Sequence, residues 1–357
     1  MIEALLDYFG DAQTVALLGA LVGLIFGACA QHSRFCLRAA TAEMTQAHFG
    51  PRLGIWLIVF GAALASTQGA ALIGWLDYSE ARQIAAMGSL SGAIIGGGLF
   101  GIGMVLARGC ASRLLVLSAT GNMRALVTGL VLTLVAQAAL TGVLAPLREM
   151  LFGLWTLPGG EARDAMLRLG LDRQMVALIG IGIFAAGILL SLWRRTAPSR
   201  QLAGLGVGLA VTLGWLGTFA ISQISFEPIS LTSVTFTGPS TDTLMALINQ
   251  RNLLPSFGLG LVPGVFLGSG LTAIASGEFR LQRFDSTMRM ERYLIGACLM
   301  GFGSMLAGGC AVGAGVSGGA ILSLTAWVAV FAMWVGALLA NWIEEIIDSV
   351  EAEPAKA

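Results

Sequence analysis

Gly101-Ile-Gly-Met-Val-Leu-Ala-Arg-Gly-Cys110 and Gly301-Phe-Gly-Ser-Met-Leu-Ala-Gly-Gly-Cys310 are two copies of one motif, 200 positions apart. Each closes a hydrophobic stretch with a cysteine. A chain that repeats itself this way across apolar spans reads as two related halves with a site between them. Here that site presents two thiols.

Composition places the chain in lipid. Of 357 residues, 56% are hydrophobic and 11% charged, and the mean hydropathy is +0.82. A soluble domain carries about 25% charged residues. The 49 glycines fit transmembrane helices that approach closely. A formal net charge of zero leaves no electrostatic footprint for nucleic acid. The five cysteines, Cys29, Cys36, Cys110, Cys298 and Cys310, contain no CxxC pair and no zinc spacing. No disulfide framework, metal site or cofactor is expected. The acidic start, with Glu3, Asp7 and Asp11, lacks the basic region of a secretory signal.

Apolar runs of about 20 residues predict an all-α, polytopic membrane protein with about nine spans. Their cores are 14–33, 53–76, 88–108, 125–145, 175–193, 203–222, 257–275, 293–308 and 321–342. Two Gly-rich pieces, 109–120 and 309–320, are too short to span and read as re-entrant helices or helix breaks. The third span matches the eighth, an odd offset that inverts the second copy. The division is a first half over 14–146, a connecting loop and linker helix over 147–200, a second half over 201–342 and a tail over 343–357. The mixed-charge stretch 146–174 reads as an external amphipathic segment. Arginines gather after alternate spans: Arg34, Arg38 and Arg52; Arg113 and Arg124; Arg194, Arg195 and Arg200; Arg280, Arg283, Arg289 and Arg292. The positive-inside rule puts these loops and the acidic tail, Glu344 to Glu353, in the cytoplasm and the N-terminus outside.

Cys110 and Cys310 are the leading candidates for contact with a permeating solute. A thiol in apolar surroundings stays protonated and is a weak donor and soft acceptor. It can hand on an anion without trapping it, as an arginine cage would. Gly109 and Gly309 let backbone approach a ligand. Cys36, closing Ser33-Arg34-Phe35-Cys36, is divided between site and packing; Cys29 and Cys298 read as packing. Arg108 is a charge near membrane depth, open between attracting an anion and snorkelling; Arg113 reads as a surface anchor. Gly96 to Gly101 and Gly313 to Gly318 fit GxGxxG, but without a preceding strand the dinucleotide reading fails. The polar stretch Phe236 to Thr243 reads as a solvated turn rather than the lining of a vestibule, and His32 and His48 as surface residues. No Ser-His-Asp or paired-carboxylate arrangement is visible, so an enzyme is not expected.

Arg34-Phe-Cys36-Leu-Arg38, the Gly101 to Cys110 motif, Ala275-Ser-Gly-Glu-Phe-Arg280 and Leu306-Ala-Gly-Gly-Cys310 resemble the YeeE/YedE sulfur-transport family. The resemblance spans nearly the whole chain. It implies a bacterial inner-membrane protein of two inverted halves that takes up thiosulfate or a related sulfur anion, with cysteines at a narrow waist. It assigns substrate contact to Cys110 and Cys310 and a weaker claim to Cys36. It also implies a small cytoplasmic sulfur carrier of the TusA type as partner. Arg108 departs from the plainer Ala-Gly-Gly-Cys form. The competing readings are a membrane thiol-redox or sulfur-transfer enzyme on the same cysteines, and a transporter of a selenium compound.

Overall fold

In lipid every backbone N–H and C=O must be satisfied within the chain, which leaves helices as the economical solution for runs this apolar. The computed structural model describes residues 6, 8–46, 49–249, 255–282 and 290–352, and these are mostly helical with almost no strand. Glu3, Asp7, His48, Arg283, Arg289 and Glu353 lie outside the described residues.

The first half holds α1 (Asp11–Ser33), α2 (Leu37–Thr45), α3 (Pro51–Leu72), α4 (Leu90–Leu106), α5 (Ala111–Ala119) and α6 (Met123–Leu140). Then come α7 (Ala145–Gly153), the short α8 (Ala165–Leu169) and α9 (Arg173–Trp193). The second half holds α10 (Pro198–Ser222), α11 (Thr237–Asn249), α12 (Phe257–Ala275), α13 (Met290–Ala307), a π-helical turn (Gly313–Gly318) and α14 (Leu324–Ala352). Ser89, Asn122 and Ser256 accept backbone N–H groups at the starts of α4, α6 and α12. Among the described residues, eight helices are long and apolar enough to cross a membrane, against about nine expected. The expected span 293–308 forms the 18-residue α13 but is not one of the eight; its first turn carries Glu291 and Arg292.

At an offset of about 200 the long helices before and after the connector match in order, with α5 matched by the π-helical turn, and their contacts come in exchanged pairs. Helix α1 packs on α12 and α10 on α3; α4 packs on α14 and α13 on α6; α2 meets α14 and α11 meets α6. Helices α4 and α13 pack on each other. A Cβ added at Gly96 or Gly103 would lie 2.5 or 2.6 Å from the carbonyl oxygen of Gly303 or Gly296, and additions at Gly296 and Gly303 would meet Gly103 and Gly96 in return. Rising numbers on one helix meet falling numbers on the other, so the pair is antiparallel. Two equivalent helices that cross antiparallel are related by a twofold axis perpendicular to both. Similar small-residue contact joins α1 to α12, where a Cβ on Gly23 would overlap the Leu261 oxygen and one on Gly264 the Ala20 oxygen. Hydroxyls add bonds between helices, as where Thr67 and Thr212 meet at 3.0 Å between α3 and α10.

Most of the mixed-charge connector is exposed or half-buried, but residues 163–166 are not. Arg163 and Asp164 are buried. The Arg163 guanidinium donates to the carbonyls of Arg82 (3.2 Å) and Ala86 (2.7 Å) and to Thr325 Oγ1 (2.5 Å), so it ties both halves together. Burial, and after it the charge of Arg82, lowers its pKa to about 10, which leaves it protonated at neutral pH. Asp164 caps α8 through the Met166 amide, and the Ala165 amide donates to the Leu322 carbonyl. The Phe236 to Thr243 stretch also departs from expectation. It enters α11, and Phe236, Thr237 and Thr241 are buried, because their backbone is satisfied in a helix rather than by solvent.

Two outcomes follow. Gly103→Ala destabilises the protein, whereas Gly98→Ala, where a Cβ meets nothing within 4 Å, gains up to about 1 kcal/mol of helix propensity; melting temperatures in detergent move in opposite directions. Arg163→Met strands two carbonyls and a hydroxyl, and denaturation in mixed micelles detects a loss of about 2 kcal/mol or more.

Candidate functional site

Each motif cysteine sits just beyond a helix that stops in a left-handed turn. Helix α4 ends at Leu106, Arg108 takes φ 53°, and the Gly109 amide reaches back to the Met104 carbonyl at 3.0 Å. Helix α13 ends the same way, with Gly308 at φ 80° and the Gly309 amide 2.9 Å from the Ser304 carbonyl. A left-handed residue other than glycine costs about 1–2 kcal/mol, so Arg108 carries strain that Gly308 avoids. Cys110 is then the extended residue that opens α5. Its Sγ lies 3.3 Å from Ser112 Oγ. The Cys310 Sγ accepts from the Gly313 amide at 3.4 Å, where the π-helical turn begins. Both cysteines and both preceding glycines, Gly109 and Gly309, are buried. The π-helical turn is held from outside: Ser317 Oγ donates to the Val234 carbonyl at 2.6 Å, and the Trp215 indole donates to the Ser317 carbonyl at 3.3 Å.

The structure brings Cys36 into this site. It opens α2 as Cys110 opens α5, and its thiol neighbours that of Cys110. The equivalent position 200 residues on is Phe236, which packs against Phe26 in a tilted pair with ring centroids 5.1 Å apart. The two halves are therefore unequal: a thiol pair in the first, a single thiol on the matching turn of the second. Nothing in the local sequence pairs Cys36 with Cys110; only their shared place at a helix start hints at it.

The charge is just as one-sided. Arg34 makes an ion pair with Glu278 at 2.9 Å, and Gln31 donates to the same carboxylate. The Arg34 hydrogen bond holds the Glu278 carboxyl below the usual carboxylate range. A lowered carboxylate keeps its ion pair above that range and loses it only as pH falls through the lowered value. The Arg52 guanidinium donates to the Arg34 carbonyl at 3.3 Å. Arg113, expected to anchor at the surface, instead has Nη1 sealed from solvent, among the thiols of Cys36 and Cys110 and the charges of Arg34 and Arg52. Arg108 is the exposed one. The equivalents of Arg34, Arg38, Arg108 and Arg113 are Val234, Gly238, Gly308 and Gly313.

The other cysteines stand outside this arrangement. Cys29 packs on α10 at Gly206. Cys298, expected to pack, is exposed on α13, because its face of that helix points away from α4 and α6. His32 is exposed. An apolar cavity of about 180 Å³ lies between α5, α6 and α11, lined by Leu114, Leu130, Leu244 and Leu247 among others. None of its lining residues is charged, so it gives a small anion no ionic partner.

Two relatives cover nearly the full chain. The thiosulfate transporter TsuA of Spirochaeta thermophila is 27% identical over 339 residues, covering 91% of this chain and 98% of the relative. The thiosulfate transporter TsuA of Escherichia coli K12 is 25% identical over 376 residues, covering 96% and 99%. The family model described as Sulphur transport matches residues 32–339, which include α4, α13, both cysteine turns and Cys36. This multi-pass membrane protein therefore belongs to the YeeE/YedE sulphur-transport family.

Proposed function

We propose that the chain carries thiosulfate, or a closely related small sulfur anion, through the bacterial inner membrane into the cytoplasm. Cys110, Cys310 and Cys36 are the contact groups along the path, with Gly109 and Gly309 exposing backbone beside them. The observation that carries this reading is the placement of two buried cysteines on equivalent turns of a repeated fold, one of them with a second thiol at its side. A protonated thiol donates one weak hydrogen bond and accepts another, so each contact holds the anion lightly and releases it to the next. The family membership and the relatives' names agree with a sulfur anion as solute.

In this proposal residues 14–146 and 201–342 are the two inverted halves. The antiparallel α4–α13 pair and the exchanged contacts support that division. The N-terminus faces the periplasm and the end of α14 the cytoplasm, as the arginine-rich loops favour. A sulfur-carrier protein of the TusA type receives the anion inside.

The neighbouring thiols of Cys36 and Cys110 favour one second reading, a membrane thiol enzyme that cycles through a Cys36–Cys110 disulfide. That reading needs an electron acceptor for each disulfide formed. Mass spectrometry of protein recovered during turnover separates the two: transport leaves both thiols free.

A strain unable to import sulfate grows on thiosulfate when it carries this protein. Cys110→Ala and Cys310→Ala abolish that growth at unchanged membrane abundance, and Cys298→Ala leaves it intact; normal uptake by either of the first two defeats the proposal. Cadmium, which prefers paired thiolates, blocks uptake at a concentration about tenfold lower when Cys36 and Cys110 are both present than after Cys36→Ser, provided that variant still transports.

A further inference from the structure

We propose that Arg38 and Arg113 form a seat for a small divalent oxyanion beside the Cys36–Cys110 thiols, present in the first half alone. The choice of a sulfur oxyanion as its natural occupant rests on the transport reading above. The geometry does not.

Nη1 of Arg113 and Nε of Arg38 are buried guanidinium donors without a partner among the described residues; Nε of Arg163, in the connector, is another, but it lies away from the thiols. Both residues are half-buried as a whole, but a sealed donor without an acceptor is costly. Both lie within electrostatic reach of the Cys36 thiol. Arg113 lies among Cys36, Cys110, Arg52 and Arg34; Arg38 lies by Cys36, Arg108 and Tyr293. The carboxylates described nearby are already committed. Glu278 is held by Arg34 and Gln31, and Glu43 accepts the Arg52 and Leu53 amides at the start of α3. Arg38 and Arg113 thus flank the Cys36 thiol with both described carboxylates held elsewhere, and their unfilled donors suit an anion. Guanidinium presents a planar fork that matches two oxygens of a sulfur oxyanion, which an ammonium does not.

The repeat makes the assignment sharper. A charge needed for folding at a helix turn would recur in both halves. Instead Gly238 and Gly313 replace Arg38 and Arg113 in the second half, where the same turn is built without charge. The arginines serve something that only one end of the path requires. With Arg108 exposed and Arg34 partly so, the cluster reaches from the thiols to the surface on the side of the Arg34–Glu278 pair.

The test is isothermal titration of the purified full-length protein in detergent with sodium thiosulfate and, separately, sodium sulfate, at low and high sodium chloride. Intact protein binds both dianions, less tightly at high salt. Arg113→Gln weakens both by at least about tenfold, Arg113→Lys retains part of the affinity, and Arg38→Gln falls between. Unchanged affinity in Arg113→Gln, or no binding by the intact protein, overturns the seat. If Arg113→Gln is not monodisperse on size exclusion, the same criterion is applied to Arg38→Gln. Uptake of labelled thiosulfate in parallel separates the two proposals. Arg113-dependent sulfate binding without thiosulfate uptake leaves the seat standing and removes the substrate; thiosulfate uptake with Arg113-independent binding does the reverse.

Discussion

Backbone touching backbone between α4 and α13 is the contact on which the rest of the arrangement depends. Gly96, Gly103, Gly296 and Gly303 are spaced so that each faces a carbonyl of the other helix, with no room for a side chain. In lipid there is no hydrophobic drive between helices, so close packing of this kind has to supply the adhesion. Because each cysteine turn lies immediately beyond one of these two helices, the same contact fixes where the turns sit. A shift of one helix along the other would move Cys110 and Cys310 in opposite senses.

The helices and the repeat were readable from the chain itself. Apolar runs gave boundaries within a few residues of those of α3, α4, α9, α12 and α13, and the 200-residue offset located both cysteine turns. Contacts between distant segments were not readable. Cys36 and Cys110 belong to different helices and share no motif. Arg113 looked like a snorkelling residue because sequence records a charge near a span's end but not which way its side chain turns. The connector's mixed charges looked solvated, although Arg163 finds its partners in residues 82, 86 and 325. Cys298 was misjudged for the opposite reason: small apolar neighbours along the chain say nothing about which helix face meets protein and which meets lipid.

The departures from symmetry are as informative as the symmetry. Duplicated halves supply two similar turns at no cost in new folding information, and specialisation then shows as a difference between equivalent positions. Here the differences are chemical and cluster together: a thiol opposite Phe236, and arginines opposite Val234, Gly238, Gly308 and Gly313. Arg108 accepts a left-handed backbone that its glycine counterpart adopts freely.

The lacing of the connector bears on how the two segments can move against each other. Arg163 reaches a loop of the first half and a hydroxyl at the start of α14, while Ala165 hydrogen-bonds to Leu322. Together with the glycine seam, this makes any rocking of one half as a rigid bundle against the other break several buried polar bonds at once. The connector thus acts as a lace across the joint between the two segments, where a plain linker would leave a hinge.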